Sequence, residues 1–182
     1  VLGFNSTMFR ISQYMQEIAA PTPIGPVRKP PGPVVIWNLI RRCNLTCKHC
    51  YSISADTDFP GELSTAEVYK VMDDLKGFKV PVLILSGGEP LLHPDIWEIA
   101  TRAKAMGFYV GLSTNGTLID ERNIGDLAGV GFDYVGISLD GIEATHDRFR
   151  RKVGAYAASL AAVRRCREAG LKVGIRFTLT QD

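Results

Sequence analysis

The strongest constraint on the fold is a repeated alternation of apolar runs with segments of helical periodicity. The apolar runs predict five strands, at 34–40, 82–85, 109–112, 134–139 and 172–179. Between them the sequence predicts four helices, at 64–76, 94–106, 120–128 and 155–169. Strands that alternate with helices form right-handed crossovers and therefore a parallel sheet. Since the runs are largely unbroken, we expect an α/β fold whose sheet is covered on both faces.

The order of elements also narrows the architecture. No Gly-x-Gly-x-x-Gly follows the first strand, which disfavours a dinucleotide-binding fold. A complete β/α barrel needs more units than five, so we expect an incomplete barrel truncated after its fifth strand. Residues 8–20 predict a short amphipathic helix, and 21–33 hold six of the ten prolines, which predicts a stiff linker. The sequence thus divides into 1–33 and a core at 34–182.

Composition excludes several classes of protein. Apolar residues make up 46% and charged residues 22% of the chain, which is enough apolar surface to offset the entropy of folding. The net charge of +2 gives no electrostatic case for nucleic acid, and no run of about 18 apolar residues predicts a membrane span. The absence of a visible secretory signal favours the cytoplasm. Because the sequence stops just after a predicted strand, we expect a fragment of a longer protein.

Unusual polar residues gather where the predicted strands end. Along the chain they are Cys43, Cys47, Cys50, Gly87, Gly88, Glu89, Asn115, Ser138, Asp140 and Arg176. The carboxyl ends of parallel strands meet at one rim, and β/α barrels carry their chemistry there. The shared placement of these residues therefore predicts an active site on that rim.

The three clustered cysteines form a C-x3-C-x2-C pattern after the first strand. Thiols this close, with one left over, make a poor disulfide framework and favour metal ligation in a reducing compartment. Three cysteines on one loop suit a [4Fe–4S] cluster with one open iron, whereas electron-transfer clusters usually have four cysteine ligands. The alternative is a zinc site completed by His49. Cys166 lies on the apolar stripe of its helix, which predicts a packing role.

The second rim segment is Gly87-Gly88-Glu89-Pro90. Paired glycines allow a backbone to approach a ligand closely, and a glutamate accepts hydrogen bonds from an ammonium group. One strand after the cysteine loop, this segment predicts a binding site for a ligand that carries an amine.

Together, the cysteine spacing and the Gly-Gly-Glu-Pro segment resemble the radical S-adenosylmethionine (SAM) superfamily over residues 34–180. The resemblance implies a partial (β/α)6 barrel in which the three cysteines hold a [4Fe–4S] cluster and the open iron binds SAM. It implies that one electron cleaves SAM to methionine and a 5′-deoxyadenosyl radical, which abstracts a substrate hydrogen atom. A reducing electron-transfer protein is then an expected partner.

The resemblance also assigns roles around SAM. It makes the clustered cysteines the cluster ligands and places Gly87, Gly88 and Glu89 at the methionine amino group.

Other roles on the rim follow from the same resemblance. His49 takes the position of an aromatic residue near the adenine. Ser138 and Asp140 match residues that face the ribose or carboxylate, Arg176 one that pairs with the carboxylate, and Asn115 lies at a matching rim position. Turn formation is the alternative for Asn115, Ser138 and Asp140.

Segments 21–23, 38–43, 52–56 and 83–90 resemble the radical SAM proteins of haem d1 biosynthesis in particular. This resemblance implies a tetrapyrrole substrate, a didecarboxysirohaem whose propionate side chains are converted. It also implies a C-terminal cysteine-rich domain with a second iron–sulfur cluster, whose cysteines are absent from this sequence.

Two features leave the substrate open. The basic residues Arg148, Arg150, Arg151 and Lys152 suit tetrapyrrole carboxylates, although a solvated helix-entry face is the simpler interpretation. The segment that begins His146-Asp147 and includes Arg150 instead resembles radical SAM enzymes that modify peptides. A non-catalytic iron–sulfur or zinc module is a third hypothesis, and it leaves the Gly-Gly-Glu-Pro segment without a role.

Overall fold

The computed structural model describes residues 32–178, so the predicted helix at 8–20 and most of the proline-rich linker lie outside the described residues. The strands are β1 (Val34–Ile40), β2 (Val82–Gly87), β3 (Tyr109–Thr114), β4 (Tyr134–Ser138) and β5 (Val173–Arg176). The helices are α1 (Thr65–Gly77), α2 (Ile96–Ala105), α3 (Ile124–Val130), α4 (Ala144–Arg150) and α5 (Ala155–Glu168), with a 3-10 turn at Pro90–Leu92.

The strands form one sheet in the order β1-β2-β3-β4-β5, and every neighbouring pair is parallel. The predicted α/β fold with a parallel sheet is confirmed. Strand order follows chain order without reversal, as in the wall of a barrel and unlike a doubly wound sheet. Within residues 32–178, no helix combines the length and apolar character needed to cross a membrane.

Some element boundaries differ from the predictions. β2 extends to Gly87 because Ser86 and Gly87 still pair with β1. α3 begins later than predicted because the Asn123 side chain accepts from the Asp120 amide and donates to the Leu118 carbonyl, which forms a turn first. α4 was not predicted, and the described part of β5 ends at Arg176.

A capping box of Ser64 and Glu67 begins α1. The Ser64 hydroxyl accepts from the Glu67 amide at 3.4 Å, and the Glu67 carboxylate accepts from the Ser64 amide at 2.8 Å. These contacts satisfy two amides that a free helix end leaves unpaired, which fixes where α1 leaves the rim.

One face of the sheet packs against the helices and forms the core. Its fully buried side chains are Leu83, Leu85, Val110, Leu112, Val135 and Ile137. Helix residues such as Ile99, Leu127 and Ala162 complete the layer. The expectation that both faces are covered is wrong for β1, where Val34 and Ile36 remain 54% and 57% exposed. Their register beside Val82 and Ile84 places them on the opposite, inner face.

Large side chains of the inner face lie over glycines of the neighbouring strands. A Cβ at Gly111 would lie 2.5 Å from Ile84 Cδ1, and one at Gly174 would lie 2.1 Å from the Tyr134 hydroxyl oxygen. Any larger residue at these glycines would displace Ile84 or Tyr134. These two side chains cover the inner face below the polar rim.

Cys166 is fully buried in α5, within the core, and all four cysteines of the chain are free thiols. We expect Cys166→Ala to lower the free energy of unfolding by about 1 kcal/mol, because it removes one packed sulfur atom. The exposed neighbour Arg167→Ala is the control and should change it by less than about 0.5 kcal/mol. Urea unfolding measures both values, and equal effects would contradict a packing role.

Candidate functional site

A cavity of about 380 Å³ opens at the carboxyl ends of the strands, a volume typical of small-molecule sites. Nine of the ten candidate residues line it, and the tenth, Glu89, lies behind its wall. The lining candidates are Cys43, Cys47, Cys50, Gly87, Gly88, Asn115, Ser138, Asp140 and Arg176. The structure therefore brings the predicted rim residues together in one place.

The cysteine loop follows β1 and is held by main-chain hydrogen bonds. The Cys43 amide donates to the Ala55 carbonyl at 3.0 Å, and the Cys50 amide donates to the Cys47 carbonyl at 3.3 Å. Exposure rises along the loop, from the buried Cys43 through the half-buried Cys47 to the exposed Cys50. The loop thus presents its thiols from the cavity wall outwards to solvent.

The thiols differ in how readily they ionise. Burial raises the pKa of Cys43 to about 11. Burial acts in the same direction on Cys50, but hydrogen bonds with Ser52 and Ser54 outweigh it and lower the pKa of that thiol. Metal ligation requires thiolates, so a metal centre that binds Cys43 would displace a proton from it.

The donor set fits a thiolate-ligated cluster. Within residues 32–178, no three Cys, His, Asp or Glu side chains are placed to hold one metal ion. The zinc alternative, with His49 as fourth ligand, requires such convergence on one ion. A [4Fe–4S] cluster carries its thiolates on different irons. Donor groups already face the sulfurs: Asn115 Nδ2 lies 3.9 Å from Cys43 Sγ, and Arg150 Nη1 lies 3.5 Å from Cys47 Sγ.

The paired glycines are required by a close approach between two loops. The Gly88 amide donates to the Ile40 carbonyl at 2.6 Å, and the Glu89 amide donates to the Arg42 carbonyl at 2.9 Å. A Cβ at Gly88 would lie 2.3 Å from the Arg41 carbonyl oxygen. Gly88 therefore lets the end of β2 pack directly against the start of the cysteine loop.

Glu89 is fully buried and joins three loop segments through its carboxylate. Its Oε1 accepts from the Thr114 hydroxyl at 2.7 Å and from the Leu91 amide at 3.2 Å, and its Oε2 accepts from the Asn115 amide at 2.8 Å. Burial raises its pKa to about 7, even though these hydrogen bonds and the charge of Arg150 act in the opposite direction. Glu89 thus supplies a buried, titratable charge behind the cavity wall.

Asn115 connects the end of β3 to the cysteine loop. Its Nδ2 donates to Asn44 Oδ1 at 2.9 Å, while its Oδ1 accepts from the Thr117 amide at 2.8 Å. The side chain therefore forms both the turn that sequence reasoning offered as an alternative and a contact beside Cys43.

The candidates of β4 and β5 differ in availability. Ser138 lies opposite Arg176 in the register, and the Arg176 guanidinium donates to the Ser113 hydroxyl at the cavity. Arg176 is exposed, so its charge is open to a ligand. The Asp140 side chain is 1% exposed, forms an ion pair with Arg150 and accepts from the Thr178 amide at 2.9 Å.

Helix α4 supplies site residues that sequence reasoning placed elsewhere. The predicted solvated face is correct for Arg148, Arg151 and Lys152, which are exposed, but wrong for Arg150, which is buried. His146 is also buried, and its Nδ1 accepts from the Asp140 amide at 3.0 Å. The two side chains are four residues apart, the spacing that places them on one side of a helix. That spacing is the signal that could have found them.

Most of the chain also matches a known protein family. A family model described as the Radical SAM superfamily covers residues 37–180, which include all ten candidate residues. The chain therefore belongs to the radical SAM superfamily.

Two curated proteins are similar to this chain over most of its length. The chain is 55% identical over 175 residues to the pre-heme d1 synthase of Dinoroseobacter shibae, covering 96% of this chain and 43% of that protein. It is 49% identical over 150 residues to the Fe-coproporphyrin III synthase of Methanosarcina barkeri, covering 82% of this chain and 38% of that protein. The chain spans less than half the length of these curated relatives.

A solved structure has a similar fold. The crystal structure of SuiB from Streptococcus suis, bound to S-adenosylmethionine, matches with a TM-score of 0.70 at 18% identity. The match covers 81% of this chain and 34% of that protein. The likeness identifies the five-stranded sheet as the partial barrel expected from the sequence.

We expect Gly88→Ala to lower the free energy of unfolding by about 1–3 kcal/mol, because the new Cβ would collide with the Arg41 carbonyl. Gly125→Ala in α3 is the matched control, since a Cβ there would have no heavy atom within 4 Å beyond its chain neighbours and the backbone of its own helix. Alanine there should be neutral or stabilising by up to about 1 kcal/mol. Urea unfolding compares the two variants, and a neutral Gly88→Ala would show that the loops do not need this contact.

Glu89 should make stability depend on pH. Its folded pKa of about 7 lies above the ordinary 4.5, so the protonated carboxyl favours the folded state. This contribution to the free energy of unfolding is complete below about pH 4.5 and is lost as the pH rises through about 7. We expect wild type to lose about 3 kcal/mol over this interval relative to Glu89→Gln, which cannot ionise. Urea unfolding of both proteins along a pH series measures the difference, and parallel profiles would contradict the assignment.

Proposed function

We propose that this chain is the catalytic core of a radical SAM enzyme that modifies the propionate side chains of a didecarboxysirohaem in haem d1 biosynthesis. One observation carries the proposal: the three cysteines and the SAM-binding candidates meet at one cavity, in a chain that aligns over 96% of its length with a pre-heme d1 synthase.

In this proposal Cys43, Cys47 and Cys50 hold a [4Fe–4S] cluster at the cavity, and SAM binds beside it. When bound, the cluster supplies the electron that cleaves SAM to methionine and a 5′-deoxyadenosyl radical. Cys43 gives up its proton on ligation, since its pKa of about 11 keeps the free thiol protonated.

The remaining candidates orient SAM. The Gly87–Gly88 main chain forms the wall at the methionine end, and Arg176 offers an exposed guanidinium to the carboxylate. Glu89 acts from behind that wall, where its negative charge favours a nearby ammonium group and its hydrogen bonds fix the ends of β2 and β3. Ser138 offers a hydroxyl to the ribose.

Asp140 takes a different part from the one its sequence position implied. Its carboxylate is already occupied by Arg150 and the Thr178 amide. We therefore propose that Asp140, whose side chain is 1% exposed, holds the rim together at the cavity that it lines.

The tetrapyrrole assignment rests on the relatives and on charge. Both similar relatives carry names of haem or porphyrin synthases. The exposed cations Arg148, Arg151 and Lys152 are available to propionate carboxylates, whereas Arg150 is buried in the ion pair and is withdrawn from that role.

The proposed enzyme also needs a second iron–sulfur cluster and a protein that supplies electrons. A second iron–sulfur cluster belongs to the longer protein, as the resemblance to haem d1 proteins implies, and a reducing electron-transfer protein supplies the electron. The free thiols fit a cytoplasmic, reducing compartment.

The test uses the full-length protein, reconstituted without oxygen and given SAM, a reductant and didecarboxysirohaem. Mass spectrometry should detect 5′-deoxyadenosine together with a tetrapyrrole altered at its propionates. Cys47→Ala should abolish both products, because the cluster loses a ligand, and Cys166→Ala should retain both as the matched control.

Each other outcome has a definite meaning. Formation of 5′-deoxyadenosine over an unchanged tetrapyrrole would favour the peptide-modifying alternative. Retained SAM cleavage in Cys47→Ala would refute the cluster assignment itself.

A further inference from the structure

Arg150 is a buried cation at the end of α4, with a side chain only 9% exposed. Taking a guanidinium out of water is costly unless anionic or accepting groups surround it. The groups that surround Arg150 therefore indicate what this charge is for.

The guanidinium lies between the β4 loop and the cysteine loop. Its Nη2 forms the ion pair with Asp140, and its Nη1 lies 3.5 Å from Cys47 Sγ. Its Nε has no hydrogen-bond partner among residues 32–178. The side chain lines the cavity with donors that a single carboxylate does not saturate.

Further contacts of α4 keep this arrangement in register. The Lys48 amide, adjacent to Cys47, donates to the Phe149 carbonyl at 2.9 Å. The rings of His49 and Phe149 pack with centroids 5.1 Å apart. The two residues that follow Cys47 are thus attached to Phe149, the residue before Arg150, and this attachment holds the guanidinium beside the sulfur.

We infer that Arg150 is a positioning residue that holds the Cys47 thiolate and raises the reduction potential of the cluster bound there. The inference rests on the proposed function, because it requires a cluster on these cysteines. One-electron reduction adds a negative charge to the cluster, and a fixed cation beside a ligand sulfur stabilises the reduced state. Asp140 moderates the effect, because its opposite charge is paired with Nη2 of the same guanidinium.

The test is a redox titration of the full-length reconstituted protein, followed by electron paramagnetic resonance. Arg150→Gln should retain iron and shift the midpoint potential of this cluster to a more negative value. We expect about a tenfold loss in the one-electron reduction constant, which is ~59 mV. Arg150→Lys keeps the charge and should remain near the wild-type potential. Arg148→Gln, an exposed arginine on the same helix, is the matched control and should leave the potential unchanged.

A second variant should shift the midpoint potential in the opposite direction. Asp140→Asn removes the moderating charge, so it should shift the potential in the opposite direction, to a more positive value. Both variants could instead lose iron while the protein that still holds the cluster keeps the wild-type potential. That result would show a purely structural role for Arg150 and would overturn the inference.

The same titration on Cys47→Ala distinguishes a failure of the proposed function from a failure of the inference about Arg150. This variant lacks the site and supplies the signal of any other cluster, which is subtracted. A wild-type signal equal to that of Cys47→Ala would overturn the proposed function and the inference with it. A cluster signal that is present but has the same potential in wild type and Arg150→Gln would overturn the inference alone.

Discussion

All five strands run in the same direction, and the site depends on this constraint. Because the carboxyl ends share one edge, loops far apart in sequence meet there: the thiols follow β1, the glycines follow β2, and Asn115 follows β3. Close contact between loops is the second requirement. The Gly88 amide reaches the Ile40 carbonyl at 2.6 Å, so the first two loops form one continuous wall. A sheet with even one reversed strand would send that strand's loop to the opposite end.

Buried charges around the cavity give the site its electrostatic character. Glu89 is enclosed by hydrogen-bond donors, yet burial still raises its pKa to about 7. Asp140 is compensated by Arg150, and His146 is kept neutral because burial lowers its pKa. Such groups are costly to bury, and their concentration beside one cavity is typical of functional sites. The helix-backed layer, by contrast, is almost entirely apolar.

Much of the fold could be predicted because the strands and long helices have clear periods. The location of the site could also be predicted, since strand ends in a parallel sheet share an edge. The orientation of single side chains could not. Glu89 comes soon after its strand, and the turn at Pro90–Leu92, where its carboxylate accepts from the Leu91 amide, keeps it buried instead of lining the cavity. Helix α4 escaped prediction because the side chains that it buries, His146 and Arg150, are polar and leave no apolar period, and because it begins after Glu143, whose φ of 43° is unusual for that residue.

Successive residues of a strand point to opposite sides of the sheet, and here the two sides do different work. Leu85 and Leu112 face the helices, while Ser86 and Ser113, one position further along, line the cavity. A substitution on the cavity side leaves the hydrophobic layer intact, and a substitution in that layer leaves the ligand-facing groups in place. Descendants of one ancestral gene can therefore acquire new substrates by changing alternate codons, while the codons between them preserve the hydrophobic layer.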